Sequence, residues 1–346
     1  MKKILAVTSG KFTPSARYRV RQHIPNLNKM GLDIVESCPL IEKNKSVPYL
    51  KNVNPRYYLP IYGTWQLLKT VQRLPSVLMS YKYDHIWLNR ELLTGYYTLE
   101  PLYKKNIVLD VDDAIWLNPP FGKYSAKKLA QRSESIICGN EYLAEWFSQY
   151  NSQCHIIPTA VDTDYLCPTF KVKKDEIIMG WIGTHGNLKY IKGILQSLLY
   201  VLNKNKNVSL LIVSDQMPDF INEHERIIFE YWSAEKEQEN FQSIDIGLMP
   251  LADDEWSKGK CSYKLLQHMS CGCPVVGSPV GMNDIVLRPE NGGFQAKCKN
   301  YWVDILDTLI SDHQLRKSSG ILARKYILEN YSNQLVQEKL AKIFLR

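Results

Sequence analysis

Short runs of β-branched and aliphatic residues alternate with amphipathic segments through the first half of the chain. Strands that alternate with helices pair in parallel, so this pattern predicts an α/β domain whose parallel sheet is covered by helices on both faces. The predicted strands are residues 4–8, 33–37, 85–88, 107–109, 135–138 and 154–157. The predicted helices are residues 16–30, 62–79, 96–104 and 140–150.

The same order of elements begins again in the second half. Residues 191–202 carry apolar side chains at spacings of three and four, which places them on one face of a helix. The predicted strands there are residues 177–182, 208–213, 244–249 and 274–277. The later predicted helices are residues 301–310, 312–330 and 332–344. The pattern therefore predicts two doubly wound, Rossmann-like domains whose sheets face a common cleft with their carboxyl ends.

Length and composition support this division. A chain of 346 residues exceeds what one hydrophobic core ordinarily holds, so we expect domains over 1–168 and 174–330, joined by a polar linker at 167–176. No apolar run reaches 18 residues, and the apolar stretch at 4–7 is too short for a signal peptide. The eight cysteines lack Cys-x-x-Cys spacing, which favours free thiols over a zinc site. These features predict a cytoplasmic protein.

Positive charge is concentrated in the first half. Residues 1–168 carry 21 Lys and Arg against 14 Asp and Glu, a balance of +7, whereas residues 169–346 carry 22 against 21. Such an asymmetry favours an anionic partner, for which a membrane surface, a phosphorylated lipid and a nucleic acid are candidates beside a merely solvated cationic surface. The acidic residues at 110–113 interrupt the basic half and disfavour nucleic acid.

A glycine-containing turn follows the first predicted strand of the second domain. Gly183, Thr184 and His185 open a helix whose first turn carries Lys189. Backbone amides in such a turn can approach a phosphate, which makes these four residues candidates for binding an anionic ligand, although a tight turn alone explains the glycines. No Gly-x-Gly-x-x-Gly follows a strand in either half, so a nicotinamide-dependent oxidoreductase is disfavoured.

A second candidate phosphate site lies at 260–283. If a helix begins near Lys260, then Lys260, Lys264 and either Gln267 or His268 share one face. Lysines at the positive end of a helix dipole are unfavourable unless an anion neutralises them, which is typical of a functional site. The amides of Gly281, Met282 and Asn283 follow the next strand and are expected on the same side.

Residues 267–276 read Gln-His-Met-Ser-Cys-Gly-Cys-Pro-Val-Val. This segment resembles the Glu-Ala-Met-Ala-x-Gly-x-Pro-Val-Val segment of the retaining glycosyltransferases with the GT-B fold, in the large family-4 group. In that family the Glu contacts the nucleotide ribose, and a Glu eight residues earlier faces the sugar. Here those positions hold Gln267 and Gly259. Further segments that resemble a subgroup of the family, in the expected order, are 15–21, 110–113, 139–143, 157–162 and 331–332.

The resemblance implies a fold and a reaction. The fold is GT-B, with two Rossmann-like domains facing across a cleft and a C-terminal helix, within 331–346, that crosses back to the first domain. The reaction is transfer of a sugar from a nucleotide-sugar to a glycan or lipid-linked acceptor with retention of configuration, as in surface polysaccharide assembly. It needs no metal or other cofactor. Contact of the basic first domain with the inner face of the cell membrane is expected.

The resemblance also implies roles for individual residues. Lys260 and Lys264 would clamp the leaving diphosphate, and Asp254, or its neighbour Asp253 or Glu255, would replace the missing family Glu. The donor would be bound by Gly183, Thr184, His185, Lys189, Gln267, Gly281, Met282 and Asn283. The acceptor would be bound by Arg17, Arg19, Asp112 and Asn140.

Two alternatives stay open. Asp110-x-Asp112-Asp113 has the spacing with which single-domain transferases hold a metal and a diphosphate, although these carboxylates can also brace loops or meet the acceptor. The second alternative is a protein that binds nucleotide but has lost catalysis, because Gly259 and Gln267 stand where the family has two carboxylates.

Overall fold

The computed structural model describes residues 1–50, 53–169 and 176–345. It divides into two compact units, the first comprising Met1–Ala160 and Val336–Arg346 and the second comprising Val161–Leu335. Residues 170–175, which hold most of the predicted linker and the predicted start of the second domain at 174, lie outside the described residues.

The first unit contains a parallel sheet with six described strands. They are β1 (Lys2–Val7), β2 (Leu32–Ser37), β3 (His85–Asn89), β4 (Ile107–Val111), β5 (Ser135–Cys138) and β6 (Cys154–Ile156). Their order across the sheet is β2-β1-β3-β4-β5-β6. The α-helices between them are α1 (Ile24–Lys29), α2 (Leu59–Val71), α3 (Leu74–Ser80), α4 (Gly122–Arg132) and α5 (Glu141–Ser148).

The second unit repeats this design. Its described strands are β7 (Ile177–Ile182), β8 (Val208–Ser214), β9 (Ile227–Tyr231), β10 (Ile246–Met249), β11 (Val275–Gly277) and β12 (Gly293–Gln295), all parallel in the order β12-β11-β10-β7-β8-β9. Its shorter helices are α6 (Leu188–Gly193), α7 (Leu195–Lys204), α8 (Glu237–Ser243), α9 (Glu255–Lys258), α10 (Tyr263–Ser270) and α11 (Met282–Val286). The chain closes with α12 (Lys299–Ser311), α13 (His313–Asn330) and α14 (Asn333–Phe344).

The last helix belongs mainly to the first unit. Val336, Leu340 and Phe344 are buried in the core that covers one face of the first sheet, and the Phe344 ring lies 5.2 Å from that of Trp87 between ring centroids. An apolar stripe at spacings of four therefore anchors α14 there, as the predicted returning helix required.

Two predicted helices of the first unit are wrong in detail. Residues 96–104 form only a 3₁₀ turn at Glu100–Leu102, because the chain wraps around the buried Glu100 carboxylate. That carboxylate accepts hydrogen bonds from the amides of Leu92 and Thr98 at 3.0 and 2.5 Å, which replaces helical pairing. Residues 16–30 form a π-helical turn, a 3₁₀ turn and α1 in succession, so the arginines of this segment do not follow one helical face.

Each sheet has one place where the strand order reverses. In the first unit it lies between β1 and β3, and in the second between β7 and β10. Ligands of open parallel sheets bind outside the carboxyl ends of the strands at such a reversal. In the second unit the loops that follow β7 and β10 lie at this reversal, and the loop after β7 contains Gly183, Thr184 and His185 of the predicted donor-binding residues.

Candidate functional site

The loop after β7 begins at a position where packing restricts the side chain, Gly183, and continues into exposed residues. The Gly183 amide donates to the carbonyl of Val213 at 3.0 Å, and a Cβ at position 183 would lie 2.5 Å from the Trp181 ring. Glycine is therefore the residue that this turn accepts without a shift of the tryptophan. Thr184 and His185 follow it on the exposed surface.

His185 is held by a carboxylate that the sequence reasoning missed. Asp215, directly after β8, accepts from the His185 amide at 2.7 Å and lies 2.6 Å from the imidazole Nδ1. Burial raises the pKa of the Asp215 carboxyl, but the His185 amide and imidazole outweigh it and hold the pKa below its usual value. The signal in the sequence was an acidic residue at a strand end beside the strand-order reversal.

Lys260 does not begin a helix. The chain forms the short helix α9, then a connection that contains Lys260, and α10 begins only at Tyr263. The Lys260 ammonium lies 3.4 Å from Oδ1 of Asn187 and 5.8 Å from the ring centroid of Trp256. This contact brings the lysine to the loop after β7.

Asp254 lies in the same cluster. It caps α9, with its carboxylate accepting from the Ser257 amide at 2.7 Å. Partial burial raises the pKa of Asp254, but the Ser257 hydrogen bonds and the charges of Lys189 and Lys260 together lower it below its usual value. Tyr190 lies between these groups, since the ammonium groups of Lys189 and Lys260 are 5.0 and 6.0 Å from its ring centroid and its hydroxyl is 3.1 Å from Oγ of Ser257. Lys189, Asp254 and Lys260 therefore lie near one another beside the loop after β7, and we call these three residues the lysine–aspartate cluster.

Lys264 has different partners. Its ammonium lies 3.7 Å from Oε1 of the buried Glu237 and 5.2 Å from the ring centroid of Phe241, both on α8. The prediction that Lys260 and Lys264 share one helix face is therefore wrong, since α10 starts after Lys260. Sequence reasoning also missed Glu237, because α8 was not among the predicted helices.

Gln267 and His268 are fully buried, contrary to their predicted place on the lysine face. Gly247 on β10 permits close packing of α10, since a Cβ there would lie 2.7 Å from Cγ of His268. Leu265, Leu266 and Met269 are buried as well, so five consecutive residues of the helix are covered. Neither amide atom of Gln267 has a hydrogen-bond partner among the described residues, a state that costs about 1–3 kcal/mol.

The loop after β11 passes very close to α9. Gly281 has φ +55°, and a Cβ on it would lie 2.7 Å from the carbonyl oxygen of Lys258. The side-chain amide of Asn283 donates to the carbonyl of Ser278 at 3.1 Å, which ties this loop back on itself. The side chains of Met282 and Asn283 are buried, and the backbone N–H of Asn283 donates to the carbonyl of Val280 at 3.1 Å.

Arg19, a predicted acceptor residue, lies inside the first unit. Its guanidinium makes a 2.8 Å ion pair with Asp110 and donates to the carbonyl of Ile157 at 2.8 Å. Burial raises the pKa of Asp110, and Arg19 opposes that rise. Arg17, two residues earlier, is half-buried with its guanidinium carbon 4.8 Å from the ring centroid of Tyr18.

Asp112 and Asn140 also have structural partners. Asp112 accepts from Ser15 at 2.8 Å and from Arg90 at 2.5 Å, and Arg90 also pairs with Asp113 at 2.7 Å. Burial raises the pKa of Asp112, but Arg90 outweighs it and lowers the pKa below its usual value. The Asn140 side chain caps α5 by accepting from the Leu143 amide at 2.9 Å.

The Asp-x-Asp segment therefore has arginine partners on every carboxylate, namely Arg19 for Asp110 and Arg90 for Asp112 and Asp113. Within residues 1–50, 53–169 and 176–345, no group of three His, Cys, Asp or Glu could hold a metal ion. Sequence reasoning missed Arg90, whose left-handed backbone at φ +62° gives no sequence signal in a non-glycine residue.

Residues 176–312 match the family model described as glycosyl transferases group 1. The match lies within the second unit and covers about two fifths of the chain. No curated protein sequence matches the chain.

Solved structures extend the likeness over the whole chain. Sucrose-phosphate synthase from Thermosynechococcus elongatus is similar with a TM-score of 0.75 and 14% identity, covering 99% of this chain and 98% of that one. HepE from Anabaena, solved with UDP and glucose, has a TM-score of 0.68 and 15% identity, with 99% of each chain covered. WaaG, a glycosyltransferase involved in lipopolysaccharide biosynthesis, has a TM-score of 0.68 and 14% identity, covering 99% and 98%.

These likenesses confirm the predicted GT-B fold and the predicted resemblance to group 1 glycosyltransferases. The match of residues 176–312 to the glycosyl transferases group 1 model supports a transferase activity. Over the described residues, no helix has the length and apolar character needed to cross a membrane.

The buried His268 of the second unit predicts a pH effect on stability. Burial, reinforced by Lys264, lowers the pKa of His268 to about 3 in the folded chain, against 6.5 ordinarily. Because the pKa is lowered in the folded chain, the unfolded chain takes up the proton first as the pH falls. The contribution of neutral His268 to the free energy of unfolding is therefore fully present above pH 6.5 and is lost as the pH drops toward 3. The slope is up to about 1.4 kcal/mol per pH unit.

Urea unfolding between pH 7 and pH 4 measures this effect, with His268→Leu as the test variant. The variant should lose less stability than the wild type across that interval. His224→Leu is a suitable control, because this histidine of the same unit is only half-buried, whereas His268 is fully buried. Equal pH slopes for wild type and His268→Leu would contradict the assignment.

Proposed function

We propose that the protein is a retaining glycosyltransferase that moves a sugar from a nucleotide-sugar donor to a glycan or lipid-linked acceptor. The observation that carries the proposal is the lysine–aspartate cluster at the strand-order reversal of the second unit. Two cations at that place suit a nucleotide diphosphate. HepE, which has been solved with UDP-glucose, supports a uridine nucleotide as the first donor to test.

In this proposal the chain's task is to position the donor and to stabilise the charge of the departing diphosphate. Lys260 and Lys189 would contact the phosphates, and the backbone amides of Thr184 and Gly281, in the turns after β7 and β11, would add donors. Lysine ammonium groups supply the positive charge, so the proposed reaction is metal-independent. Gln267 would gain hydrogen bonds from a ribose hydroxyl that reaches its unpaired amide.

The proposed retention of configuration needs no strong enzymic base. The leaving diphosphate itself accepts the proton of the acceptor hydroxyl on the face from which it departs. Asp254 is proposed to orient the sugar hydroxyls, since its pKa keeps it ionised beside the two lysines. Lys264 is proposed to act on the same site through its pairing with Glu237 and through the position of α10.

The acceptor side is proposed on broader grounds. The first unit would hold the acceptor, with Arg17, Asp112 and Asn140 near its loops and Arg19 bracing them. WaaG is involved in lipopolysaccharide biosynthesis, which supports a role in surface polysaccharide assembly at the inner face of the cell membrane. The basic balance of residues 1–168 supports contact with that membrane.

A panel of nucleotide diphosphates, followed by thermal unfolding, tests the donor site. A bound nucleotide at a hundred times its dissociation constant should raise the free energy of unfolding by about 2.7 kcal/mol. Release of UDP from UDP-glucose without acceptor then separates an enzyme from a binding-only relative, which would show the thermal shift and no release. If no nucleotide diphosphate stabilises the protein, the donor assignment is wrong.

A further inference from the structure

The solvent-exposed side of helix α2 carries large apolar side chains. Its only buried residue is Lys69, whose ammonium donates to the carbonyl of Lys43 at 2.8 Å. Leu67 and Leu68, which directly precede Lys69 in the helix, are 61% and 49% exposed. A globular helix ordinarily buries its leucines and exposes its lysine, so α2 has the reverse arrangement.

The exposed apolar side chains of this region form a concentrated set. Twelve of the 32 exposed large apolar residues in the described ranges lie between residues 49 and 81, about a tenth of the chain. Four apolar residues fall on one side of α2, namely Ile61, Leu67, Leu68 and Val71, and Leu74 and Leu78 continue along α3. We call these six residues the α2–α3 face. Apolar patches of this kind on a folded surface mark an interaction site.

The charge of the same region is of one sign. Residues 43–83 contain seven Lys and Arg and no Asp or Glu, although 35 acidic residues in 346 would place about four there. Among these cations Lys45, Arg56 and Lys82 are exposed. Exposed Tyr49, Tyr57 and Tyr81 accompany them, and tyrosine is enriched where protein meets the lipid headgroups.

We propose that the α2–α3 face rests on an anionic membrane surface, with its aliphatic side chains among the acyl chains and Lys45, Arg56 and Lys82 against the headgroups. A second copy of the chain fits less well, because pairing this face with itself would bring the same uncompensated cations together. The inference rests on the proposed function in one respect: such docking would bring the first unit to a lipid-linked acceptor.

Sedimentation with lipid vesicles tests the proposal. Vesicles of phosphatidylglycerol mixed with phosphatidylethanolamine should sediment the full chain, and vesicles of phosphatidylcholine alone should sediment far less. The variant Leu67→Glu/Leu68→Glu should lower partition onto the anionic vesicles by about tenfold or more, since it removes two apolar anchors and adds two like charges. Added salt should weaken binding of the wild type in part.

The matched control is Ile321→Glu/Leu322→Glu on α13, where the two residues are 62% and 40% exposed. This control carries the same change of charge at similar exposure and should bind as the wild type does. An equal loss in the control, or no binding of the wild type to anionic vesicles, would overturn the proposal. So would a shift from dimer to monomer in the Leu67→Glu/Leu68→Glu variant, because a second copy would then cover the face.

Nucleotide binding, measured without vesicles, keeps the two proposals apart. The Leu67→Glu/Leu68→Glu variant should keep the full thermal shift with the nucleotide diphosphate that stabilises the wild type. If no nucleotide binds but anionic vesicles do, the donor assignment fails and the membrane surface stands. If nucleotide binds and vesicles do not, the membrane surface fails alone.

Discussion

Replacement of Lys260 with alanine is expected to lower the rate of sugar transfer by about 10²–10³-fold. The ammonium of Lys260 lies 3.4 Å from Asn187 and contributes to the lowered pKa of Asp254, which places it at the turn where the diphosphate is proposed to bind. Removal of a cation aimed at developing negative charge acts on the transition state more than on folding. Turnover with saturating donor, together with thermal unfolding, measures both effects.

Lys192→Ala is the matched control for this prediction. Lys192 lies on α6 of the same unit and pairs with exposed Asp219 on the surface, so its loss should leave turnover within about twofold. Lys264→Ala should lower stability as well as rate, because it removes the cation that lies 3.7 Å from the buried Glu237 carboxylate. Near-normal transfer by Lys260→Ala would remove the basis for the phosphate assignment.

Apolar periodicity was enough to predict two α/β domains, because local sequence patterns encode most of the strands and the late helices. The strand Ile177–Ile182 matches its prediction, and Ser135–Cys138 does too. The errors arose where tertiary contacts override local pattern. Glu100 is buried and organises a turn where a helix was predicted, and α4 was missed because its buried face is made largely of Ser125, Ala126 and other small residues.

The site was predicted less completely, for a related reason. Sequence spacing placed Lys260 and Lys264 on one helix, but residues 255–258 form α9, which Asp254 caps, and α10 begins only at Tyr263. His268 packs closely on β10 at Gly247, a contact between residues 21 apart that no local pattern encodes. Asp215, Glu237 and Arg90 act only through partners distant in sequence, so spacing could not identify them.

Replacement of Arg19 with methionine is expected to lower the stability of the first unit by about 3–5 kcal/mol, because it leaves the buried carboxylate of Asp110 without its cation. Burial already raises the pKa of Asp110, and loss of Arg19 raises it further. The loss in free energy of unfolding relative to the wild type should therefore grow as the pH rises. A carboxyl whose pKa is raised in the folded chain destabilises the fold most at a pH where it must ionise. Urea midpoints at pH 5 and pH 8 measure the deficit and its direction.

Two further variants decide what Arg19 does. Arg19→Met/Asp110→Leu should regain much of the lost stability, because an apolar pair can replace a buried ion pair at little cost. Arg21→Met is the control, since its pair with Glu36 is partly exposed and its loss should cost about 1 kcal/mol or less. If Arg19 instead contacted the acceptor, Arg19→Met would raise the KM for acceptor with the urea midpoint unchanged. The interior position of its guanidinium argues for the first outcome, in which Arg19 holds β4 to the segment after β6 and so shapes the loops of the first unit.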